Sequence, residues 1–389
     1  MVNYVFLSVY FYSVPNLRFS FEEDWCTSTI GENFRLSSGL TPSTKEKAYF
    51  NNGIIPWINS GELKNKYISF TENKLTLDAV KKHNLTIYPM DTMVIAIYGL
   101  EAAGVRGKAS ITKMDSTISQ SCMAFNSLGN VLTQFMYYVY KKEAQILGTR
   151  YAQGTKQQNL SSDLLSSYKL LYPSKEEQLK IVNFLSLIDE KIETQSKIIN
   201  DYKILKNHII KSFIKQNGTS YLLSEIAELG RGRVINSAEI SKQKNPIYPV
   251  YSSQTSNNGI MGYLDNYDYE GEYITWTTDG ANAGTVYYRN GKFNCTNVCG
   301  ILKIKNGYDA YYISNILNCY TKKYVSTNLA NPKLMNNVMA NIKINLPSIE
   351  QQKHSSKILQ SIEYRVEIEE DIKLNLVKQK AFLLKNMFI

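Results

Sequence analysis

Histidine is scarce in this 389-residue chain, where His83, His208 and His354 are the only three, so a His-based metal site or a His-dependent catalytic triad has little raw material. The five cysteines include no C-x-x-C, and Cys295 and Cys299 form the only close pair. That excludes a disulfide framework and a zinc pattern, and it fits a reducing cytoplasm. Long apolar runs are missing too. The opening MVNYVFLSVYFYSV is apolar, but it has no basic lead and no A-x-A cleavage site, and Pro15, Arg18 and Glu22 follow soon. Neither a signal peptide nor a membrane anchor is expected there. No other run approaches the roughly 18–20 apolar residues that span a bilayer. Gly230-Arg231-Gly232 lacks the third glycine and the strand-then-helix setting of a dinucleotide fingerprint.

What is present points to a polyanionic partner. Lys and Arg number 44 against 34 Asp and Glu, a formal charge of +10. Tyrosine supplies 29 residues, which suits a surface that packs on nucleic acid and donates hydroxyl hydrogen bonds, or alternatively fills sheet positions. The length predicts two or three domains.

Internal repetition is the strongest signal. LYPSKEEQLKIVNFLSLIDEKIE (171–193) aligns without a gap on NLPSIEQQKHSSKILQSIEYRVE (345–367), placing Pro173 on Pro347, Glu176 on Glu350, Gln178 on Gln352 and Leu185 on Leu359. Ser174 with Glu177, and Ser348 with Gln351, match a capping box that starts a helix. Ile181, Leu185, Ile188, Ile192, Ile199, Tyr202, Ile209 and Phe213 then follow a 4-3 alternation broken by Gln195 and Lys206, which is a coiled-coil seam. From 174 to 215 such a helix is a rod of about 60 Å. Leu359, Ile362, Val366, Ile372, Leu376, Leu383 and Met387 mark a similar stripe in the second copy, so the two helices can bury their seams together.

The segments preceding each helix read as mixed α/β with short strands such as MVIAIYG (93–99) and YITWTTDG (273–280). They resemble each other in outline. A Gly-containing loop (Gly39; Gly230 and Gly232) precedes a Pro near an aromatic residue (Pro56-Trp57; Pro249-Val250-Tyr251). A strand ending in Gly (Gly99; Gly280) follows, then a polar residue shortly before a Cys (Gln120 and Cys122; Asn297 and Cys299). Segments 174–215 and 341–389 each hold eight basic and six acidic residues, so the rods carry +4 and the rest +6. The basic excess is spread out, and each rod's charge is ordinary for a solvated helix face. Trp57 and Trp276 are read as core.

The helix heads LYPSKEEQLKI and NLPSIEQQ, with SGLTPSTKEKAYFNNGIIPWINSGEL (38–63), the stretch from YPVYSS to RNGKF (248–293) and VPNLRF (14–19), resemble the specificity subunits of Type I restriction-modification enzymes over nearly the whole chain. Two features depart from that pattern: the apolar residues before VPNLRF, and Lys353 to Ser356, which stand where apolar positions are expected. The resemblance implies an α+β molecule with two α/β target-recognition domains in pseudo-twofold arrangement, joined by two long antiparallel coiled-coil helices. The expected parts are a first recognition domain (1–165), a central helix serving as spacer and docking element (166–216), a second recognition domain (217–342) and a C-terminal helix (343–389). It further implies that each domain reads one half of a split, asymmetric site in double-stranded DNA. Two methyltransferase subunits would dock on the helices, and a translocating restriction subunit would join through them. S-adenosylmethionine would be bound by the methyltransferase, with no cofactor, metal or catalytic residue in this chain, and the complex would be cytoplasmic. Gln195 reads as a register-setting polar position, or as a contact to the methyltransferase.

Base edges are read by Arg, Asn and Gln, and phosphates are held by Lys, Arg, Ser, Thr, Tyr and backbone amides. The loop candidates are Ser38, Thr41, Ser43, Asn59, Ser60, Arg106, Lys108, Arg150, Tyr151 and Lys156 in the first domain. In the second they are Arg231, Arg233, Tyr251, Ser252, Ser253, Gln254, Asn257, Asn258, Thr277, Thr278 and Lys333. Each could equally be a solvated loop residue. An enzyme carrying its own readers is poorly provisioned. No Pro-Pro exists for the Asn/Asp-Pro-Pro-aromatic tetrapeptide of an adenine methyltransferase, and neither Asn245-Pro246 nor Asn331-Pro332 continues correctly. Glu62-Leu63-Lys64 has the spelling of a nuclease Glu-x-Lys without the preceding Pro-Asp. A structural coiled-coil scaffold is the remaining alternative; steep salt dependence of DNA binding discriminates against it.

Overall fold

The computed structural model describes residues 14–100, 104–151, 159–215, 217–326 and 331–389, and the backbone alone at Arg150 and Tyr151. The apolar opening, residues 1–13, lies outside the described residues. The chain divides into two compact units, Met1–Thr194 with Lys373–Ile389, and Gln195–Ile372. The division falls inside both long helices, so each unit owns part of each.

In the first unit a five-stranded sheet runs in the order Phe34–Ser38, Cys122–Ser127, Met93–Ala96, Ala109–Thr112, Tyr67–Ile68. A smaller sheet sets Ile55–Ile58 antiparallel to Lys74–Leu75 and parallel to Thr117–Ile118. Met93–Ala96 is buried on both faces and accordingly reads as an unbroken apolar run. The helix Thr133–Ile146 contributes Phe135, Tyr138 and Tyr140 to the same core as Met93, Ile95, Ile111 and Phe125.

The second unit repeats this topology except at the edge, where among the described residues the strand Tyr67–Ile68 has no counterpart. Its main sheet runs Ala227–Arg231, Cys299–Ile304, Tyr273–Thr277, Val286–Arg289. Tyr248–Tyr251 pairs antiparallel with Ile260–Leu264 and parallel with Lys292–Cys295. A short antiparallel pair closes each unit next to the head of a long helix: Cys26–Thr29 with Lys169–Tyr172, and Thr219–Leu222 with Lys343–Leu346.

The long helices are Lys175–Ile214 (40 residues) and Ile349–Asn386 (38 residues). Ser348 Oγ accepts from the Gln351 amide (3.4 Å) and Gln351 Oε1 from the Ser348 amide (3.2 Å), a complete capping box. At the first head Ser174 Oγ accepts from the Glu177 amide (3.5 Å), while the buried Glu177 carboxylate takes Arg18 in two-point fashion at 2.8 and 2.7 Å. The next residue makes the same two bonds in both copies. Gln178 Oε1 accepts from the Leu132 amide (2.8 Å) and its Nε2 donates to Pro173 O (2.9 Å); Gln352 accepts from the Asp309 amide (3.1 Å) and donates to Pro347 O (2.9 Å). Ser355 and Ser356, at positions where apolar residues were expected, are buried, and Ser356 Oγ donates to Asp309 Oδ1 at 2.7 Å.

The seam of the first helix follows the expected alternation, with Ile181, Leu185, Ile188 and Ile199 buried. In the second helix the stripe differs from expectation. Ile372 is 42% exposed, and the inward series continues instead through buried Glu369 and half-buried Lys373 and Lys380 to Leu383 and Met387. An apolar-only reading misses polar seam positions that have partners. Gln195 Nε2 donates to the Glu369 carboxylate and to Glu369 O (3.2 Å), so the polar position expected to set register is paired across the helices.

A second polar device occurs twice. In the first unit Tyr138 OH donates to Asp189 (2.6 Å), which pairs with Lys380 (2.5 Å), and Lys66 Nζ donates to Tyr138 OH (2.9 Å) and Ser186 Oγ (2.7 Å). In the second, Tyr311 donates to Glu363, which pairs with Lys206. Asp189 and Glu363, like Lys206 and Lys380, are separated by the offset that aligns Pro173 with Pro347. Each pair of equivalents thus does the same work, tying the helix Thr133–Ile146 or Ala310–Tyr320 to the long helices.

Burial pushes Lys66 down to about 8 and Lys141 likewise to about 8. Both are depressed below their unfolded value, so the folded state carries the cost of a buried charge at neutral pH and sheds it as pH rises through 8. Burial holds Tyr137 and Tyr138 neutral above the pH at which the unfolded phenols ionise, which reverses the trend beyond about pH 10. Burial also pushes the Cys122 thiol up to about 11, which opposes the gain above pH 9, so stability is expected to rise by about 1 kcal/mol between pH 7.5 and 9, after discounting for solvent screening. Urea unfolding at the two pH values checks this, and a flat or falling profile would contradict the buried cations.

Candidate nucleic-acid interface

In each unit, loops from four places converge at one end of the sheets, and backbone hydrogen bonds fix the convergence. Gly39 N donates to Cys122 O (3.2 Å), Leu40 N to Ile118 O (3.2 Å), Ser119 N to Ile58 O (2.8 Å) and Ile97 N to Ser121 O (3.0 Å). The second unit reproduces all four: Gly232 N to Cys299 O (3.2 Å), Arg233 N to Cys295 O (3.1 Å), Thr296 N to Tyr251 O (2.8 Å) and Thr278 N to Val298 O (3.1 Å). The approach is close enough to demand glycine. A Cβ on Gly39 would lie 2.0 Å from Ile118 O, and one on Gly232 2.1 Å from Cys295 O.

Of the first-unit candidates, Ser38, Thr41 and Ser43 are exposed, and Thr41 Oγ1 accepts from the Gln120 amide (3.1 Å), which ties that loop to 119–121. Asn59 and Ser60 are half-buried in the adjoining turn, where Asn59 Oδ1 accepts from the Gly61 amide (2.8 Å). Arg106 and Lys108 belong to a different stretch; both are half-buried, and Arg106 Nε donates to Leu100 O (2.6 Å) while its stem packs on Gly148. The side chains of Arg150 and Tyr151, and all of Lys156, lie outside the described residues.

In the second unit Arg231, Asn257 and Asn258 are exposed and Tyr251, Ser252, Ser253 and Gln254 half-buried, all in the converging loops. Arg231 Nη2 reaches Met335 Sδ (3.3 Å). Arg233 pairs with Glu239 (2.6 Å) and Asp268 (3.1 Å); the Arg233 hydrogen bond holds the Glu239 carboxyl below its usual range. Lys333 lies 3.4 Å from Asp279. Thr277 and Thr278 are corrected: both are fully buried, Thr278 Oγ1 donating to Asp279 (2.6 Å), because Tyr273–Thr277 is a central strand covered on both faces. They support the loops from beneath and offer no surface contact.

Gln120 and Asn297 are exposed in the converging loops and were not among the candidates. The signal for them was in the sequence, as the matched polar residue shortly before Cys122 and Cys299. Glu62 accepts from the backbone amides of Glu72 (2.7 Å) and Asn59 (3.4 Å), so the Glu-x-Lys spelling belongs to a loop brace. Among the described residues no group of three or more His, Cys, Asp or Glu is placed to hold a metal ion. Among them also, no helix is long and apolar enough to cross a membrane.

One scaffold used twice, with the same backbone bonds at matched positions and unlike loop residues beside them, defines a protein built from two copies of one α/β domain. The family profile described as the Type I restriction modification DNA specificity domain matches residues 22–202 and 218–379, and the chain belongs to that family. S.MpnORF365P of Mycoplasma pneumoniae, named as a type I specificity subunit, is 36% identical over 214 residues, 53% of this chain and 79% of that protein. The Type I restriction enzyme MpnII specificity subunit of the same organism is 42% identical over 146 residues, 37% of this chain and 43% of that protein. Among solved structures, the Type-I restriction-modification system S subunit from M. genitalium shares the fold with a TM-score of 0.62 at 18% identity, covering 97% of this chain and 99% of that one. A chain from a structure of the type I R-M system covers 94% of this one with a TM-score of 0.58 at 11% identity.

Proposed function

We propose that the chain is the non-catalytic DNA-reading subunit of a Type I restriction-modification complex, each recognition domain (1–165 and 217–342) reading one half of a bipartite, asymmetric duplex site. The observation that carries this is the doubled loop cluster: equal backbone bonds at Gly39, Leu40 and Ile58 in one unit and at Gly232, Arg233 and Tyr251 in the other set unlike side chains at matched positions, Ser38, Leu40 and Asn59 against Arg231, Arg233 and Ser252. Equal scaffolds give two readers, and unequal side chains give unequal half-sites. The exposed candidates Ser38, Thr41, Ser43, Arg231, Asn257 and Asn258, with the half-buried Asn59, Ser60, Tyr251, Ser252, Ser253 and Gln254, divide between base edges and phosphates, while Arg106, Lys108, Arg150, Tyr151, Lys156, Arg233 and Lys333 serve phosphates.

The helices (166–216 and 343–389) act as spacer and as the docking surface for two copies of a methyltransferase subunit, through which a restriction subunit joins the complex. Exposed apolar side chains support the docking role: Leu179, Leu187, Tyr364, Leu374 and Phe382 are between 48% and 66% exposed on the two rods. The methyltransferase binds S-adenosylmethionine, flips the target base and transfers the methyl group; this chain binds no cofactor and works in the cytoplasm.

Selection from randomised duplex DNA by this chain, co-purified with its candidate methyltransferase, should enrich two short blocks separated by a fixed unspecified gap. Binding to the selected site should weaken by about a thousandfold or more between 50 and 200 mM salt if six or more phosphates are neutralised. Exchanging the loop residues of one domain should change one block only. Absence of any enriched motif, with salt-insensitive binding, would leave a coiled-coil scaffold as the better account.

A further inference from the structure

Arg289 ends the strand Val286–Arg289 and is 3% exposed. Among the described residues it forms no ion pair with a carboxylate. Its guanidinium lies 3.6 Å from the Tyr251 ring centroid and 4.4 Å from that of Tyr287. Nε donates to Thr275 Oγ1 (3.2 Å) and Nη2 to the backbone oxygen of Asn258 (2.9 Å). A buried cation without an anion is costly, and two rings and two neutral acceptors offset that cost only in part.

The scaffold does not require this charge. Strand register places Thr112 at the equivalent position of the first unit, since Thr112 N donates to Thr92 O (2.9 Å) where Arg289 pairs with Tyr273. Thr112 is neutral and ends its business locally, its hydroxyl donating to Pro89 O (3.2 Å). What Arg289 reaches and Thr112 does not is the loop from Ser252 to Gly259. That loop is closed at its base by Ser252 N donating to Gly259 O (2.9 Å), and Gln254 Nε2 donates across it to Ile260 O. At its tip Asn257 and Asn258 are exposed, and both lie in the left-handed region, with φ of 48° and 51°. Asparagine tolerates that region better than other side-chain-bearing residues, but two in succession still carry a cost that surrounding contacts must offset.

We propose that Arg289 is a positioning residue for base reading by the second unit: its guanidinium struts the Ser252–Gly259 loop and holds the two asparagines in one presenting conformation, so that it determines one half of the recognised site without touching DNA. The inference rests on the DNA-reading function proposed above. Guanidinium geometry matters as well as charge, because stacking between two rings while donating to two divergent acceptors needs a planar fork that an ammonium lacks.

The test is motif selection with the complete complex carrying wild-type chain, Arg289→Lys or Gly259→Ala. The lysine keeps the charge and loses the fork. The alanine leaves Arg289 in place and crowds the strut, since its Cβ would lie 3.1 Å from Nη2 at a backbone φ of +82°. Both variants should retain the block read by the first unit and lose about tenfold or more of the base preference in the second block, with binding to unrelated duplex unchanged. If Arg289→Lys does not fold, as judged by its thermal melt, Gly259→Ala decides. A wild-type motif that the folded variants reproduce in both blocks overturns this inference alone. A wild-type complex that enriches no two-block motif overturns the DNA-reading function and this inference with it.

Discussion

Trp276→Ala should destabilise the second unit by about 3–5 kcal/mol, the range for deleting a fully buried large aromatic. Trp276 is 0% exposed and sits in the core with Ile274, Leu302, Tyr312 and Leu334. Its indole lies against the Cα of Gly300, where an added Cβ would be 2.2 Å from the ring, so the neighbouring strand has been cut back to the limit to admit it. The indole N–H donates to Leu334 O (3.0 Å), and the alanine variant leaves that buried carbonyl without its partner as well as opening a cavity. Trp57→Ala is the control. Trp57 is 5% exposed in a small satellite cluster with Leu75, Ala79 and Val80, and a site so near the surface collapses more readily, so about 2–3 kcal/mol is expected. Urea unfolding of both variants measures the difference. A cost below about 1 kcal/mol for Trp276→Ala would mean that the second unit's core is not built around this ring.

Both tryptophans were read correctly as core from the sequence, and the reason extends to the fold. Signals that depend on near neighbours were legible: the two capped helix heads, the alternation from Ile181 to Phe213, and the polar interruptions at Gln195 and Lys206. Signals that depend on strand pairing were not. Thr277 and Thr278 look like loop polar residues until the pairing of Tyr273–Thr277 with strands on both sides buries them. The glycines at 39 and 232 read only as members of loops, whereas each is required because a carbonyl of a residue distant in sequence would lie about 2 Å from an added Cβ. The C-terminal seam was misphased at Ile372 because its inward positions at buried Glu369 and half-buried Lys373 and Lys380 are polar, and hydrophobic periodicity cannot see a polar residue on the inward face. The candidate loops could be named from the sequence and their convergence could not, for the same reason: the bonds that gather them link positions as far apart as Gly39 and Cys122.

The repeated Tyr–carboxylate–Lys device allows a comparison of equivalents within one chain. Asp189→Asn should cost about 2–3 kcal/mol, and Glu363→Gln about 1 kcal/mol or less. The Asp189 carboxylate is 21% exposed and Lys380 20%, and Lys66 approaches the same hydroxyl of Tyr138. Neutralising Asp189 therefore strands Lys380 and Lys66, and removes the anion that favours the charged form of buried Lys141. Glu363 is 41% exposed and faces one lysine, Lys206, so solvent screens what its loss exposes. The same asymmetry fixes a pH signature. Because Lys66 and Lys141 are already pushed to about 8, raising the pH to about 9.5 lets both discharge and should remove part of the Asp189→Asn penalty. Paired urea titrations of the two variants at pH 7 and 9.5, with a Tyr138→Phe cycle to isolate the hydroxyl, measure each part. Equal costs at the two carboxylates would show that burial of the cations around Asp189 does not govern how the first recognition domain is tied to its helices.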